Sequence, residues 1–266
     1  MPDTTILNGK ITSHPSLSGS LIKGFKIIEL LSEHQEMSVT EVSNQLGMNM
    51  SSVHRLLSTL VALDYAGQNP SNKQYRLTSK LFEIGSRTRI LLTLEEAATE
   101  IMELLSEKTL ETINLAILDK GEVIYIKKIE SQQPLRMDLS VGTRLPPNCT
   151  SLGKALIAHL PTGQLKDLLN GSTIMKMTSK SITDSRKLRA ELASVRELGY
   201  AVDSEEFSDG IRCVSAPIWG SNHEVVGALS IAGPSLRFTE REIKKYARLV
   251  VQGAQEITRN LIDASY

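Results

Sequence analysis

Residues 38–78, with the sequence SVTEVSNQLGMNMSSVHRLLSTLVALDYAGQNPSNKQYRLT, predict two short helices around a tight turn, followed by a small β-ribbon. Ser38 and Glu41 have the spacing of a capping box, in which each side chain bonds a free backbone N–H at a helix start. Gly47 supplies the left-handed residue that ends this helix, and Asn49 can cap the next one. Apolar residues recur at helical spacing in that second helix, at Val53, Leu56, Leu57, Leu60 and Val61. A glycine turn between two such helices is typical of a helix-turn-helix, whose second helix enters the DNA major groove.

A turn-rich segment and a short strand follow the second predicted helix. Asn69–Lys73 consists largely of turn-forming residues, and Gln74–Thr78 alternates polar and apolar side chains as a strand does. A hairpin directly after a recognition helix is a wing. The alternative is an ordinary pair of helices with a hairpin in an unrelated core. The capping box, the glycine turn and the polar outer face of the second helix together favour the winged helix-turn-helix.

The polar side chains of this stretch are the candidates for contact with DNA. Specific recognition needs side chains that reach base edges in the major groove, and Arg55 could bind either a guanine or a phosphate there. Lys73 at the wing tip and Arg76 on its strand would contact phosphates or the minor groove, which positions the protein without reading much sequence. The remaining members of this candidate surface are Ser38, Thr40, Asn49, Ser51, Ser52 and His54.

The composition indicates a chain with room for two domains and little net charge. It has 266 residues, 41% of them apolar, and equal numbers of basic and acidic side chains, which argues against a strongly basic DNA-binding coat. Residues 1–90 hold nine Lys and Arg against seven Asp and Glu, an excess in the direction that DNA contact requires. No apolar run reaches the ~18 residues of a membrane span, and the polar start lacks a signal-peptide core. We therefore expect a cytoplasmic protein that does not bind membranes.

The remainder of the chain predicts an α+β organisation. Residues 1–15 are interpreted as a mobile tail, and helical spacing over Leu17–Leu31 would supply the first helix of a DNA-binding domain at residues 16–78. Two further helical stretches, Thr78–Arg89 and Leu91–Leu110, predict a linker over residues 79–110.

Alternating β patterns and turn signals then predict a second domain over residues 111–266. A hairpin turns at Asp119–Gly121, and a third strand is predicted over Leu135–Val141. Further helices are predicted over 152–160, 162–169 and 185–198, further strands over 200–202, 211–219 and 225–231, and a last helix after Thr239. A mainly antiparallel sheet with helices packed on it is the architecture of an α+β sensor domain.

The chain resembles the IclR family of bacterial transcriptional regulators from about Leu17 to Ile262. The resemblance rests on VTEVSNQLGMNMSSVHRLLSTLVALDY and KQYRLT in the first half, and on LPPNCTSLGKALIA, GYAVDSEEFSDGIRCVSAPIW and VVGALSIAGPSLRFT in the second. It implies a winged helix-turn-helix domain, a connecting helix and a GAF-like effector-binding domain. It also implies homodimers, often paired into homotetramers, that act on promoter DNA.

The same resemblance implies a site for a small-molecule effector in the second domain. The family motif makes Ser151 and Leu152 candidates for backbone donors and Thr150 a candidate hydroxyl, at a helix start suited to a carboxylate. In the same way, Asp203, Cys213 and Ser230 match family positions that face the ligand.

Some of these residues limit the ligand chemistry. An ionised Asp203 can only accept hydrogen bonds, so it suits a ligand hydroxyl, amine or hydrated carbonyl. Ala232 stands where family members often have serine, and Asn148 where many have histidine. We expect a small oxygen-rich or aromatic acid, for which Leu139, Leu145 and Leu152 could form an apolar wall.

Two other classes of function are open at this point. An enzyme could use Cys149 or Cys213 as a nucleophile with His159 or Asp203, but no general base stands at a recognisable spacing from either cysteine. A sensor could instead act on protein partners, with the winged domain as a docking module. The cysteines and histidines also lack metal-ligand spacing, so no metal or other cofactor is expected. The leading interpretation is a non-enzymatic, ligand-responsive repressor that binds operator DNA.

Overall fold

The computed structural model describes residues 17–85, 89–135, 139–170 and 174–263, without the side chains of residues 89–92. The chain divides into two compact units, Met1–Thr88 and Arg89–Tyr266. The predicted tail lies outside the described residues. None of the described helices is both long and apolar enough to cross a membrane.

The first unit is a three-helix core with a two-stranded ribbon and a short additional helix. Its elements are α1 (Gly19–Ser32), α2 (Val39–Leu46), α3 (Met50–Ala62), β1 (Ala66–Gln68), β2 (Tyr75–Leu77) and α4 (Lys80–Gly85). The strands β1 and β2 pair antiparallel. This order is the winged helix-turn-helix that the sequence predicted.

Local hydrogen bonds set the bounds of α2 and α3. The Glu41 carboxylate accepts from the Ser38 N–H at 2.7 Å, and the Ser38 hydroxyl oxygen accepts from the Glu41 N–H at 3.3 Å. Gly47 ends α2 with φ at 61°, a left-handed conformation in which a side chain would be strained. Asn49 caps α3 by accepting from the Ser51 N–H at 2.8 Å. The predicted capping box, glycine turn and second cap are all confirmed.

The core of the first unit comes from the apolar stripes of its three main helices. Ile27, Val42, Val53 and Leu57 are fully buried within one cluster. Tyr75 of β2 joins this cluster and pairs with Met37 just before α2. The ribbon is therefore anchored to the helices, because its first inward-facing residue belongs to the same core.

The second unit is a single sheet covered by helices on both faces. Its elements are α5 (Arg89–Thr109), β3 (Thr112–Asp119), β4 (Glu122–Ile129), β5 (Arg144–Leu145), α6 (Ser151–Ile157), α7 (Thr162–Asn170), α8 (Ser185–Leu198), β6 (Ala201–Ser204), β7 (Ile211–Trp219), β8 (Val225–Pro234) and α9 (Glu240–Asp263). The strand order is β5-β4-β3-β8-β7-β6, and each neighbouring pair runs antiparallel.

The two faces of this sheet carry separate hydrophobic cores. Met102 of α5, Leu115 of β3 and Val250 of α9 belong to one buried cluster. Ala116 of β3 and Leu152 of α6 belong to the other, which also includes residues of α7 and α8. Consecutive strand residues point to opposite faces, so the sheet has an α5–α9 face and an α6–α8 face.

The structure corrects one predicted strand and divides the predicted linker. Within Leu135–Val141, residues 136–138 lie outside the described residues, and the others form no strand. The strand at that edge is β5, where Leu145 pairs with Val123. A two-residue strand has too few alternating positions to be recognised in a sequence. Of the predicted linker helices, α4 lies in the first unit and α5 in the second.

Candidate DNA-binding face and effector site

The α3 helix has one buried face and one exposed polar face. Val53 and Leu57 are fully buried, whereas Ser51, His54 and Arg55 are exposed and Ser52 is half-buried. Arg55 also borders an apolar groove between α1, α3 and α4. The helical period of 3.6 residues separates these faces, so most of the predicted base-contacting residues of α3 are exposed together.

Several predicted DNA-contacting residues lie at the starts of α2 and α3, where they cap the helices or are exposed to solvent. The Ser38 hydroxyl bonds the Glu41 carboxylate at 2.7 Å, and the Ser51 hydroxyl bonds Asn49 Oδ1 at 2.7 Å. Thr40 and Asn49 are exposed. Ser38, Asn49 and Ser51 therefore already have hydrogen bonds in the free protein, and any phosphate contact would have to share or replace them.

The wing is held by an acidic residue that the sequence interpretation missed. Glu36 accepts from Asn72 Nδ2 at 2.8 Å and from Asn69 Nδ2 at 3.2 Å, and these bonds, with the nearby Arg76, lower the pKa of its carboxyl. The Arg76 guanidinium lies 3.7 Å from Glu36 and stays largely exposed, with 64% of its side chain accessible. Lys73 is exposed at the tip with φ at 61°. The predicted wing cations thus face solvent.

In the second unit, cross-strand pairing brings three predicted effector residues to one face of the sheet. Asp203 of β6 pairs with Cys213 of β7, and Cys213 pairs with Ala232 of β8. Ser230 lies two residues before Ala232, so it projects on the same side. This is the α6–α8 face, because Ala228, two residues further back along β8, belongs to the core that contains Leu152.

A second row of polar residues lies beside Ser230 on that face. Ser230 pairs with Ser215 of β7 on one side and with Asn114 of β3 on the other. Asn114 Nδ2 donates to Ser230 Oγ at 3.2 Å. Asn114, Ser215 and Ser230 are at most 2% exposed. The sequence interpretation did not identify Asn114 and Ser215 as candidate site residues. For Asn114 a signal was available, because it is a polar residue inside the apolar run of β3.

The start of α6 packs onto this face. Thr150 caps α6 by accepting from the Gly153 N–H at 3.1 Å and also donates to the Pro146 carbonyl at 3.2 Å. A Cβ on Gly153 would overlap the backbone of Pro147, so only glycine allows the loop to lie this close. Ser151 and Leu152 are both buried.

Asn148 has a structural role in the loop before α6. It is fully buried, and its amide nitrogen donates to the carbonyls of Met175 and Ile182 at 2.8 and 2.9 Å. Its Oδ1 accepts from the Met175 N–H at 3.1 Å. These bonds tie the loop to the segment before α8.

Buried charges lie beside the predicted ligand residues. Lys154 of α6 has no exposed surface, and its ammonium contacts Glu206 at 2.6 Å and Glu191 at 3.1 Å. Asp203 accepts from the Glu206 N–H at 2.7 Å. Burial is the main cause that raises the pKa of Asp203 to about 7; the hydrogen bond from the Glu206 N–H and the charge of Lys154 oppose this increase, and the charge of Glu206 adds to it. Near neutral pH Asp203 can therefore be either a donor or an acceptor.

The environment of the two thiols argues against the cysteine-nucleophile alternative. Burial, with smaller contributions from the carboxylates of Asp203 and Glu206, raises the pKa of Cys149 to about 12. Burial also raises the pKa of Cys213 well above its ordinary value. A nucleophilic cysteine reacts as a thiolate, which a lowered pKa provides. The environments of both cysteines raise the pKa instead and therefore disfavour the thiolate.

A winged helix-turn-helix unit joined to an α+β unit defines a DNA-binding regulator with a second domain. The family model described as IclR helix-turn-helix domain matches residues 20–70, and that described as bacterial transcriptional regulator IclR C-terminal matches residues 91–259. The chain belongs to the IclR family of bacterial transcriptional regulators and is not an enzyme.

Named relatives agree with this assignment. The HTH-type transcriptional regulator KdgR of Escherichia coli K12 is 35% identical over 96% of this chain and 97% of its own length. The transcriptional repressor IclR of the same strain is 30% identical over 90% of this chain and 88% of its own. An IclR homolog from Microbacterium hydrocarbonoxydans, solved with 4-hydroxybenzoate, has a TM-score of 0.83 over 91% of this chain and 99% of that one; at 20% identity it shows a shared fold.

Proposed function

We propose that this regulator is a cytoplasmic repressor that binds an operator through its winged helix-turn-helix and responds to a small carboxylate-containing metabolite. The observation that carries the DNA-binding half is the exposed polar face of α3 beside an anchored wing. Repression, rather than activation, is supported by the relative IclR of Escherichia coli, which is named a transcriptional repressor. The predicted domains at residues 16–78, 79–110 and 111–266 then correspond to operator binding, connection and sensing.

On the DNA side, Arg55 is the main candidate for a base contact. It is exposed on α3 next to Ser51 and His54, and a guanidinium can bind guanine through two hydrogen bonds. Ser52 would lie at the edge of this contact. The phosphate contacts are assigned to Ser38, Thr40, Asn49, Lys73 and Arg76, which surround α3 in the same unit.

Self-association of the first unit would place two α3 helices on one operator. An open apolar groove of about 660 Å³ lies between α1, α3 and α4. Leu21 and Phe25 on its rim are 61% and 55% exposed. A second copy of the chain covering this apolar surface gives a homodimer and an operator with two-fold symmetry. The family resemblance extends this proposal to a homotetramer.

In the second unit, we assign the effector to the polar sheet face and the start of α6. Asp203, Cys213 and Ser230 would face the ligand from the sheet, while Thr150, Ser151 and Leu152 would meet it from the helix. The burial of all six supports the assignment, because a small ligand gains most where water is excluded.

A gel-shift assay with the DNA upstream of the gene tests the DNA-binding half. Wild-type protein should retard this DNA at low salt, and Arg55→Ala should lose the operator-specific complex while keeping its fold and oligomeric state. Lys26→Ala is the matched control, since it removes an exposed cation from α1. Absence of any shift at low salt would favour a sensor that acts on protein partners.

The effector half is tested with the same assay in the presence of candidate carboxylates. Asp203→Ala and Ser230→Ala should each weaken the response of the complex to the effector without reducing operator binding. Normal responses in both variants would refute the site. An effector that strengthens the complex at a promoter it activates would refute the repressor assignment.

A further inference from the structure

Three buried polar atoms near the start of α6 and on the sheet face that it covers lack hydrogen-bond partners. They are Oδ1 of Asn114, Oγ of Ser215 and Oγ of Ser151, none of which has a partner among the residues that the structure describes. Their residues are 2%, 0% and 1% exposed. Buried polar groups are satisfied in the great majority of cases, so this concentration at one place calls for a specific partner.

The strand register shows that Asn114 and Ser215 adjoin the proposed effector residues. Asn114, Ser230 and Ser215 occupy one row across β3, β8 and β7. The next row on the same face contains Cys213 and Asp203. We name the row Asn114–Ser230–Ser215 the polar strip. It is continuous with the site already proposed but contains two residues that the family motifs did not mark.

The hydrogen bonding within the polar strip indicates the chemistry of its partner. Asn114 donates from its amide nitrogen to Ser230, and its amide oxygen has no partner within the described part of the chain. Ser230 accepts that bond, so its own proton remains to be donated. Ser215 has a hydroxyl that can donate and accept. A ligand hydroxyl can donate and accept as well, whereas a methylene group or an aromatic C–H can do neither.

We propose that the polar strip binds hydroxyl groups, and that Asn114 and Ser215 select an aliphatic hydroxy acid over its deoxy analogue and over an aromatic acid without hydroxyls. This inference rests on the proposed function, because it takes the carboxylate-binding site as given. A bound deoxy analogue would exclude water from the polar strip without offering hydrogen-bond partners to Asn114 and Ser215. The loss of hydrogen bonds to buried groups is what makes such sites selective.

Thermal-shift measurements on the full chain with matched acids test the selectivity. The hydroxylated probes are D-glycerate and D-gluconate, and their deoxy partners are propionate and hexanoate, with benzoate as the aromatic acid. A hydroxylated probe should raise the melting temperature and bind at least about tenfold more tightly than its deoxy partner, which corresponds to one or two hydrogen bonds. Equal or tighter binding of propionate, hexanoate or benzoate would overturn the inference and leave the effector site standing.

Ser215→Ala separates a ligand-binding role from a structural one. Because the Ser215 hydroxyl has no partner among the described residues, its removal should leave the melting temperature of the free protein unchanged or raise it. The same variant should lose most of the preference for the hydroxylated probe. Ser131→Ala is the matched control: Ser131 is also buried, but its hydroxyl donates to the Leu110 carbonyl at 2.7 Å. That control should melt at a lower temperature and keep the preference.

The outcomes distinguish the inference from the proposed function. If Ser215→Ala lowers the melting temperature as Ser131→Ala does and keeps the preference for hydroxyls, the polar strip is structural and the inference is wrong. If none of the five acids changes the melting temperature or the gel shift, the carboxylate site and the inference that rests on it both fail.

Discussion

Asp203→Asn should change the pH dependence of folding in a direction that the structure specifies. Asparagine keeps the size of Asp203 and an oxygen that accepts the Glu206 N–H, which lies 2.7 Å from the carboxylate. It removes the ionisable group. The comparison therefore isolates the free energy of holding a carboxylate in this buried position.

The magnitude follows from the pKa of Asp203. Burial is the main cause that raises it from the ordinary 3.8 to about 7, against the lowering effect of the hydrogen bond from the Glu206 N–H. Each pH unit between the two values corresponds to about 1.4 kcal/mol, so ionisation reduces the free energy of unfolding by about 4 kcal/mol in total. The folded state binds the proton more tightly than the unfolded chain. The stability is therefore complete below about pH 4 and is lost as the pH rises through 7.

Urea unfolding of the full-length wild type and Asp203→Asn at pH 5 and pH 8 measures this effect. More than half of the total, about 2–3 kcal/mol, falls between these two pH values. The variant should gain that much over wild type on going to pH 8, which corresponds to about 5–10 °C in melting temperature. Asp209→Asn, which removes an exposed carboxylate from the following loop, is the matched control. If the free energies of unfolding of wild type and Asp203→Asn change equally between the two pH values, the reasoning that Asp203 binds its proton more tightly in the folded state is refuted.

Two further substitutions test how the proposed effector site is held in place. Lys154→Met should destabilise the second unit by about 3–5 kcal/mol at neutral pH, because it leaves Glu206 buried without its cation. In urea unfolding, the double variant with Glu206→Met should recover much of this loss. A double variant that is no more stable than Lys154→Met would contradict the ion-pair explanation. Gly153→Ala should lower the free energy of unfolding by about 1–3 kcal/mol and reduce effector binding, because the added Cβ overlaps the Pro147 backbone. An unchanged melting temperature and unchanged effector binding would show that the loop can move away.

The sequence alone was sufficient for the helix-turn-helix because its signals are local. The Ser38–Glu41 capping box, the Gly47 turn and the Asn49 cap each depend on groups within a few residues. The apolar spacing of α3 gave its buried face for the same reason. Most of the antiparallel strands of the second unit were also predictable, since alternation and turn residues mark them directly.

Only the tertiary structure decided which polar residues lie together on the α6–α8 face of the sheet. Asn114, Ser215 and Ser230 are far apart in the chain and meet through strand register, which a single sequence does not state. The ion pair of Lys154 with Glu206 likewise joins residues 52 positions apart. Sequence determined what most segments become, because caps and periodicity act within a few turns. The fold decided which segments face each other, because burial and pairing act between distant parts of the chain.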